Sequence, residues 1–446
     1  MLNKSALWLR QLASLIILFV LLAYPSAGSA SNMLLHDAGD SEIRVSPLSL
    51  SRKDRVELFE DVWAMIYARY YDASFNGVDW MAVRKQYRPM VDQVKSDEEL
   101  YTLMKRMIGE LHDAHTRFHT PQERKDREQL QSVSAGVYIG EVEGRSVIVG
   151  VETGSDAERA GVRTGMIVRT IDGRPIEEQV AEAQAQVGYS SSDRAVQLRL
   201  YRRLLRGEPD TAVKLGLMRA DGTEMEAFIT RHLVSDQPRV YWARLPSGYG
   251  YIKLNLWKSP IHKEFKNALK KLRGAPGLII DLRGNPGGEV DEVLKIASYF
   301  VPENTSFGRF FTRSGKLLDL YTGRDEDDIY NSSLAILVNE GSGSGSEMFS
   351  GVLQENGRAV VIGRQSCGCL LGITKYRKVK GGGELVISEL GYLSPGGRKV
   401  EGAGVTPDEK TALTIADLHN QRDAALEQAE NLLRSSLKSA AARAGR

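Results

Sequence analysis

Apolar positions along the chain fall into three regimes. From Asp54 onward Val56, Phe59, Val62, Trp63, Ile66 and Tyr67 recur at three- and four-residue spacing, which places them on one face of a helix. Residues 80–91 and 98–111 continue that period, predicting a helical domain over 54–127 with Trp63, Tyr67 and Trp80 in its core. Between 128 and 236 the pattern changes to short apolar runs broken by glycine, as in Ala135-Gly-Val-Tyr-Ile-Gly140, Val147-Ile-Val-Gly-Val151 and Gly165-Met-Ile-Val-Arg-Thr-Ile-Asp-Gly173; this predicts a β-rich unit. From 237 to 414 strand-like segments at 249–255, 278–282, 334–338 and 359–362 alternate with helix-like ones at 259–272, 289–300 and 347–356. That order predicts an α/β core, a mixed sheet with flanking helices and its chemistry in loops at strand ends. Residues 415–446 read as one Ala/Leu-rich C-terminal helix.

The sharpest break follows Leu334 to Val338, where five apolar residues run into Gly341-Ser-Gly-Ser-Gly-Ser346-Glu347 and then an amphipathic segment. A buried strand that turns abruptly into a helix presents serine hydroxyls beside unpaired backbone N–H groups, the usual mounting of a nucleophile. A flexible Gly/Ser linker is not normally clamped between such elements. A second glycine-rich turn ends a strand-like run in Gly277-Leu-Ile-Ile-Asp-Leu-Arg-Gly-Asn-Pro-Gly-Gly288.

Charge changes the picture little: 59 basic side chains face 57 acidic ones, for a net charge of +2. With no basic block there is no argument for nucleic acid, and Arg202, Arg203 and Arg206 read as a local solvated patch. His112 and His115 stand three apart and would share a helical face, but no third ligand follows at a recognisable spacing, so no metal is expected. No phosphate loop is present, and no cofactor is expected. Residues 1–30 read as an export signal, with Lys4 and Arg10 ahead of an apolar run from Leu12 to Tyr24 and small residues from Ser26 to Ala30. Such a signal is cleaved, which places the mature chain in a periplasmic or otherwise extracytoplasmic compartment, with a membrane contact only if the segment is retained. Residues 31–53 then form a linker. Cys367 and Cys369 are the only cysteines. They read as small buried residues, as a disulfide or as reactive thiols.

With its helix, the 341–347 segment resembles the nucleophile motif of the C-terminal processing, or tail-specific, serine proteases, and 277–288 is similar to that family's strand and glycine-rich turn. The resemblance spans roughly residues 55 to 435 in a helical, PDZ-like, catalytic-core order. It implies Ser344 as nucleophile, the N–H groups of Gly345 and Gly288 as oxyanion donors, and a PDZ-like peptide-binding loop over Gly136, Val137, Tyr138, Ile139 and Gly140. The lysine-using branch carries its base twenty-five residues after the serine, where this chain has Cys369; the nearest later lysine, Lys375, lies further along a hairpin strand. A second branch, with the tricorn core protease, uses histidine and glutamate. His115 in Gly109-Glu-Leu-His-Asp-Ala-His-Thr-Arg-Phe118 resembles its Asp-x-His-Thr motif. Glu401 in Val400-Glu-Gly-Ala-Gly-Val-Thr-Pro-Asp408 is similar to its Glu-Gly-x-Gly-Val-x-Pro-Asp motif. The implied triad is Ser344, His115 and Glu401, with an imidazole of ordinary pKa (about 6.5) as base and acylation rising between about pH 6 and 7. The activity implied is that of an exported serine endopeptidase working through an acyl-enzyme on unfolded or C-terminally exposed polypeptides. Two alternatives remain at this level: a catalytically silent peptide-binding relative, and a lysine-dependent protease using Lys375.

Overall fold

The computed structural model describes residues 49–444 apart from 187 and 325–328; the export signal expected over 1–30 and most of the linker expected over 31–53 lie outside the described residues. Three helices, Arg52–Arg69, Trp80–Val91 and Asp97–Gly109, open the described chain. Each begins at a side-chain cap, since Ser51, Asp79 and Ser96 accept backbone N–H groups of the first turn. Their apolar faces enclose Phe59, Trp63, Trp80 and Met104 together with Leu371, Leu385 and Ile387 from much later in the chain. Tyr67, expected in this core, is 44% exposed. The third helix stops at Gly109, and His112 turns the chain with φ 52°. The helical face that His112 and His115 would share therefore does not form. Instead the chain extends into a short strand, Arg117–His119, which pairs antiparallel with Val386, Leu385 and Glu384 of the Glu384–Leu393 strand.

The central sheet has six strands in the order Val240–Arg244, Gly250–Leu254, Gly277–Asp281, Ser333–Val338, Val360–Gly363 and Glu409–Lys410. The first pair is antiparallel and the rest run parallel. The two middle strands are buried almost throughout, which is why they read as unbroken apolar runs. Helices Ile261–Leu272, Val290–Ala297 and Gly345–Glu355 contribute to the large core against this sheet; the first starts two residues later than the predicted 259–272 segment, the second ends three residues before the predicted 300, and the third starts two residues before the predicted 347. Because parallel strands present the loops after their carboxyl ends together, the turn after Asp281 and the turn after Val338 become neighbours.

Residues 135–231 form a separate five-stranded antiparallel sheet, with a minor strand at Arg174–Pro175. The glycine-broken apolar pattern predicts these strands. It does not predict the two helices inserted among them, Ile176–Gln186 and Asp193–Leu204. The two ends of this insert pair with each other, Gln131–Ser134 against His232–Ser235.

The single C-terminal helix expected from 415 is two, Ile415–His419 and Ala424–Ala444, divided at Asn420 to Asp423, where Gln421 adopts φ 52°. The second packs Ala425, Ala429 and Leu433 on Ile279, Ala335 and Leu337. Arg283 fastens it by donating to both Asp281 and Asp423, at 2.7 to 2.9 Å. Asp281 is fully buried; burial opposes its charge, but Arg283 overrides this and holds its pKa at about 2. Removing Arg283 strands that carboxylate, so Arg283→Ala is expected to destabilise the fold by about 3 to 5 kcal/mol, read as a lower urea midpoint at unchanged slope.

Candidate active site

Ser344 sits at the tip of the turn between the Ser333–Val338 strand and the Gly345–Glu355 helix, with φ 50° and ψ −113°. A non-glycine residue in this region is strained, and such strain collects where surrounding contacts over-determine a functional position. Those contacts are explicit. Gly343 N donates to Asn285 O, Ser342 Oγ to Leu282 O and Ser346 Oγ to Asn285 O, which knits the serine turn to the glycine-rich turn. Ser346 also accepts from the Trp257 indole. Of the three serines in the run, only Ser344 keeps its hydroxyl out of these bonds, and it alone in 341–350 is partly exposed.

Gly288 and Gly345 are brought together beside it. A Cβ on Gly287 would lie 2.6 Å from Ser344 Cβ, and one on Gly288 would lie 2.0 Å from Trp257 O, so both positions require glycine. Gly288 forms a parallel bridge with Trp257, in which Trp257 N donates to Gly287 O and Glu289 N to Trp257 O. That pattern uses the peptide groups on either side of Gly288 and turns its own N–H away from Trp257. Its nitrogen lies 3.5 Å from where a Gly345 Cβ would be. Neither the Gly288 nor the Gly345 N–H has an acceptor among the described residues, and both flank the Ser344 side chain.

His115 reaches this region through strand pairing across some 270 residues of sequence. Thr116 Oγ1 contacts Ser388 Oγ at 3.2 Å and accepts from Ser388 N at 3.1 Å. Asp113, itself buried, accepts from His115 N at 2.6 Å and from the Thr116 hydroxyl, fixing the loop. Next to His115, Ala114 packs on Cys367 and Cys369, and Cys369 O accepts from Ser344 N at 2.8 Å. The structure therefore gathers His115, Ser344 and Glu401 around one loop, 366–370. Glu401 Oε2 accepts from Leu370 N at 2.6 Å, and Gly402 N donates to Gly368 O.

His115, Ser344 and Glu401 are not hydrogen-bonded to one another. His115 Nδ1 and Glu401 Oε1 are both enclosed and both without a partner, an arrangement rare enough in folded proteins to need a reason. Burial drives each toward its neutral form. The His115 pKa falls to about 4, mainly by desolvation, with Asp113 acting in the opposite direction. The Glu401 carboxyl is pushed up to about 8 by burial and then by the Asp113 charge, against the pull of Ser191 and the Leu370 amide. The ordinary imidazole value expected from sequence is thus corrected to about 4, because the ring is withdrawn from water. Lys375 stands exposed on the Gly372–Lys378 strand, with no hydrogen bond to Ser344.

Cys367 and Cys369 are joined as a disulfide, which decides among their three readings. The loop they close rests on Glu347, a buried carboxylate that accepts from Ser344 N, Ser366 Oγ, Gly368 N and Cys369 N. Burial raises the Glu347 pKa against those four donors. The positioning role of Glu347 was missed, although its place three residues after Ser344 has the spacing of a capping box. Ser191 was also missed. It accepts from Ala114 N at 2.8 Å and sits against Glu401, and its sequence context, Ser-Ser-Ser-Asp, signals only the start of a helix. Ser192 and Arg194 beside it donate to the carbonyls of Cys367, Ser366, Gly402 and Ala403. Of the residues expected in a peptide-binding loop, Gly136 precedes the edge strand Val137–Val142 of the insert sheet, and Val137, Tyr138, Ile139 and Gly140 lie within it.

Residues 248–411, which contain Gly288, Ser344 and Glu401, match peptidase family S41, and residues 51–109 match the tricorn protease C1 domain. Residues 248–411 are thus a peptidase family S41 domain. The chain is a serine-type peptidase, a hydrolase. This peptidase is 27% identical over 406 residues to a carboxyl-terminal-processing protease of Synechocystis, covering 87% of this chain and 89% of the relative. It is 28% identical over 385 residues to the chloroplastic carboxyl-terminal-processing peptidase 2 of Arabidopsis thaliana, covering 81% and 70%. Among solved structures, the photosystem II D1 C-terminal processing protease matches with a TM-score of 0.55 at 25% identity, over 80% of this chain and 93% of that one. Mature CPAF in complex with lactacystin matches with a TM-score of 0.66 at 13% identity, over 87% and 98%; that likeness concerns the fold alone.

Proposed function

We propose that the chain is an exported endopeptidase of the carboxyl-terminal-processing type, forming an acyl-enzyme on Ser344 with His115 as general base and Glu401 as its orienting carboxylate. The observation that carries this reading is the pair of unsatisfied N–H groups, Gly288 and Gly345, converging beside a strained, uncommitted serine. Backbone donors so placed suit the oxyanion of a tetrahedral intermediate, an interaction worth about 3 to 4 kcal/mol per donor in comparable sites. His115 Nδ1–H would pair with Glu401 Oε1, joining the two orphaned atoms and leaving Nε2 free to take the Ser344 proton. As Oγ bonds to the scissile carbonyl carbon, the imidazolium passes that proton to the leaving amine; water, deprotonated by the same imidazole, then releases the acyl group and restores Ser344.

The insert would present the polypeptide. Its strand Val137–Val142 is an edge of its sheet, with the Asp193–Leu204 helix packed against it. An added peptide strand beside Gly136 to Gly140 is the arrangement of a PDZ-like domain. The relatives' names favour C-terminally exposed substrates, and a compartment outside the cytoplasm agrees with the export-signal pattern; no helix among the described residues is long and apolar enough to cross a membrane. A fluorophosphonate probe is expected to label the folded protein at Ser344, with labelling lost in Ser344→Ala. Folded protein that cleaves no peptide and takes no label would instead favour a catalytically silent peptide binder.

A further inference from the structure

The Asp193–Leu204 helix carries Ala195, Arg199 and Arg202 at i, i+4 and i+7, with Arg206 a further turn along the chain, so that they form one stripe. The stripe starts at the active site, where Ala195 packs on Ala114, Cys367 and Cys369. Further out it meets Arg117, two residues beyond His115. Arg117 feels the charges of Arg202 and Arg206, Arg199 feels Arg117, and Arg202 feels Arg206.

Little on the protein offsets the crowding. None of the four arginines forms an ion pair among the described residues. Asp113 is the carboxylate that acts on Arg117 and Arg199, and both turn their hydrogen bonds to the backbone carbonyls of Ala114, Gly188 and Tyr189. Arg199 Nε is enclosed without any acceptor, while Arg117, Arg202 and Arg206 are exposed. An alignment of guanidiniums that repel each other and form no ion pair suits an external partner bearing several carboxylates, which guanidinium binds through paired hydrogen bonds.

We infer that this arginine track, leading outward from the surroundings of Ser344, binds an acidic segment of the polypeptide substrate, with aspartate or glutamate side chains a few residues from the scissile bond. The inference rests on the peptidase reading above. From Ala195 to Arg202 the helical part of the stripe spans about 10 Å at about 1.5 Å per helical residue, the length of about three residues of extended chain, and Arg206 extends it past the helix end. One terminal carboxylate would satisfy a single guanidinium; a run of acidic side chains satisfies the track.

The test uses the full chain as Ser344→Ala and fluorescein-labelled peptides sharing one apolar core. One pair carries a glutamate block before the core and a second pair carries it after, each with a glutamine twin. At low salt, fluorescence anisotropy is expected to show a glutamate peptide binding about tenfold more tightly than its twin, an advantage that shrinks above about 0.15 M ionic strength. R202Q/R206Q is expected to abolish the preference and R202K/R206K to retain it, with melting temperatures checking that both fold; if the glutamine form does not fold, Arg117→Gln reads the same ratio. Equal binding of the twins, or a preference that survives loss of the charges, overturns the inference. So does a single-stranded oligonucleotide that outcompetes the glutamate peptide, which would assign the track to nucleic acid. Because binding is read in a form that cannot turn over, failure of the proteolytic reading would show in active enzyme and leave this measurement standing.

Discussion

Ser344→Ala is expected to lower kcat for peptide hydrolysis by about 10⁴- to 10⁶-fold, with little change in KM. The size of the effect follows from the commitments of the neighbouring hydroxyls. Ser342 donates to Leu282 O and Ser346 to Asn285 O, so neither can take over as nucleophile without breaking the bonds that shape the turn. What survives the substitution is the contribution of the two glycine amides and of substrate binding, which lowers the barrier without covalent chemistry. The variant should unfold at a temperature close to the parent's, because the hydroxyl removed makes none of the bonds that join the serine turn to the glycine-rich turn. Single-turnover assays over days can detect the residual rate. A loss smaller than about tenfold would place the nucleophile elsewhere.

Replacement of His115 by alanine is expected to cost about 10⁴-fold in kcat/KM, and Glu401→Gln to lower activity while raising stability. The second result depends on signs that can be worked out. In the unfolded chain Glu401 ionises near 4.5 and in the fold near 8, so the folded protein holds the extra proton between those values and its stability falls as pH rises through them. His115 acts oppositely: its folded pKa, about 4, lies below the ordinary 6.5, so its contribution grows as pH rises from 4 to 6.5 and is then constant. Of this pair, only Glu401 contributes a slope between pH 6.5 and 8, at most about 1.4 kcal/mol per pH unit. The gap in melting temperature between Glu401→Gln and the parent should therefore widen across that window in favour of the variant. Activity should show the matching trend. Since ionised Glu401 stabilises the imidazolium, kcat/KM of the parent is expected to climb toward a plateau above about pH 8, and that of Glu401→Gln to stay low and flat. A parent profile that rises instead between pH 6 and 7 and is unchanged by Glu401→Gln would remove Glu401 from the triad.

How far the site could be read in the sequence depended on whether its parts are local. The Leu334 to Val338 run, the glycines that follow and the helix after them lie within about twenty residues, so burial, turn and cap each leave a mark on consecutive positions. The same holds for the Gly277 to Gly288 strand and turn. His115 is different. Its place is fixed by the pairing of Arg117–His119 with Glu384, Leu385 and Val386 and by Thr116 on Ser388, and three-residue strands carry almost no periodic signal. Nor can sequence give the environment that moves the His115 pKa, since the groups around it come from the first helices, the insert and the loop at 366–370. The insert helices were missed because their apolar faces alternate with arginines and glutamines among strong strand signals. The break at Asn420 to Asp423 was missed because a left-handed Gln421 is not marked by glycine. Cys-Gly-Cys was ambiguous for a further reason: bridging two cysteines one residue apart depends on the loop's curvature, and Gly368, at φ 72°, supplies it.

Gln131–Ser134 and His232–Ser235 lie side by side, so the roughly hundred residues between them leave and rejoin the catalytic body through a single doorway. A segment rooted in this way can be exchanged for another of different size without stretching the strands that carry the nucleophile. Specificity in this lineage can then be rewritten by swapping a cassette, provided the newcomer brings its own equivalents of Ser191, Ser192 and Arg194 to rest on the cystine loop.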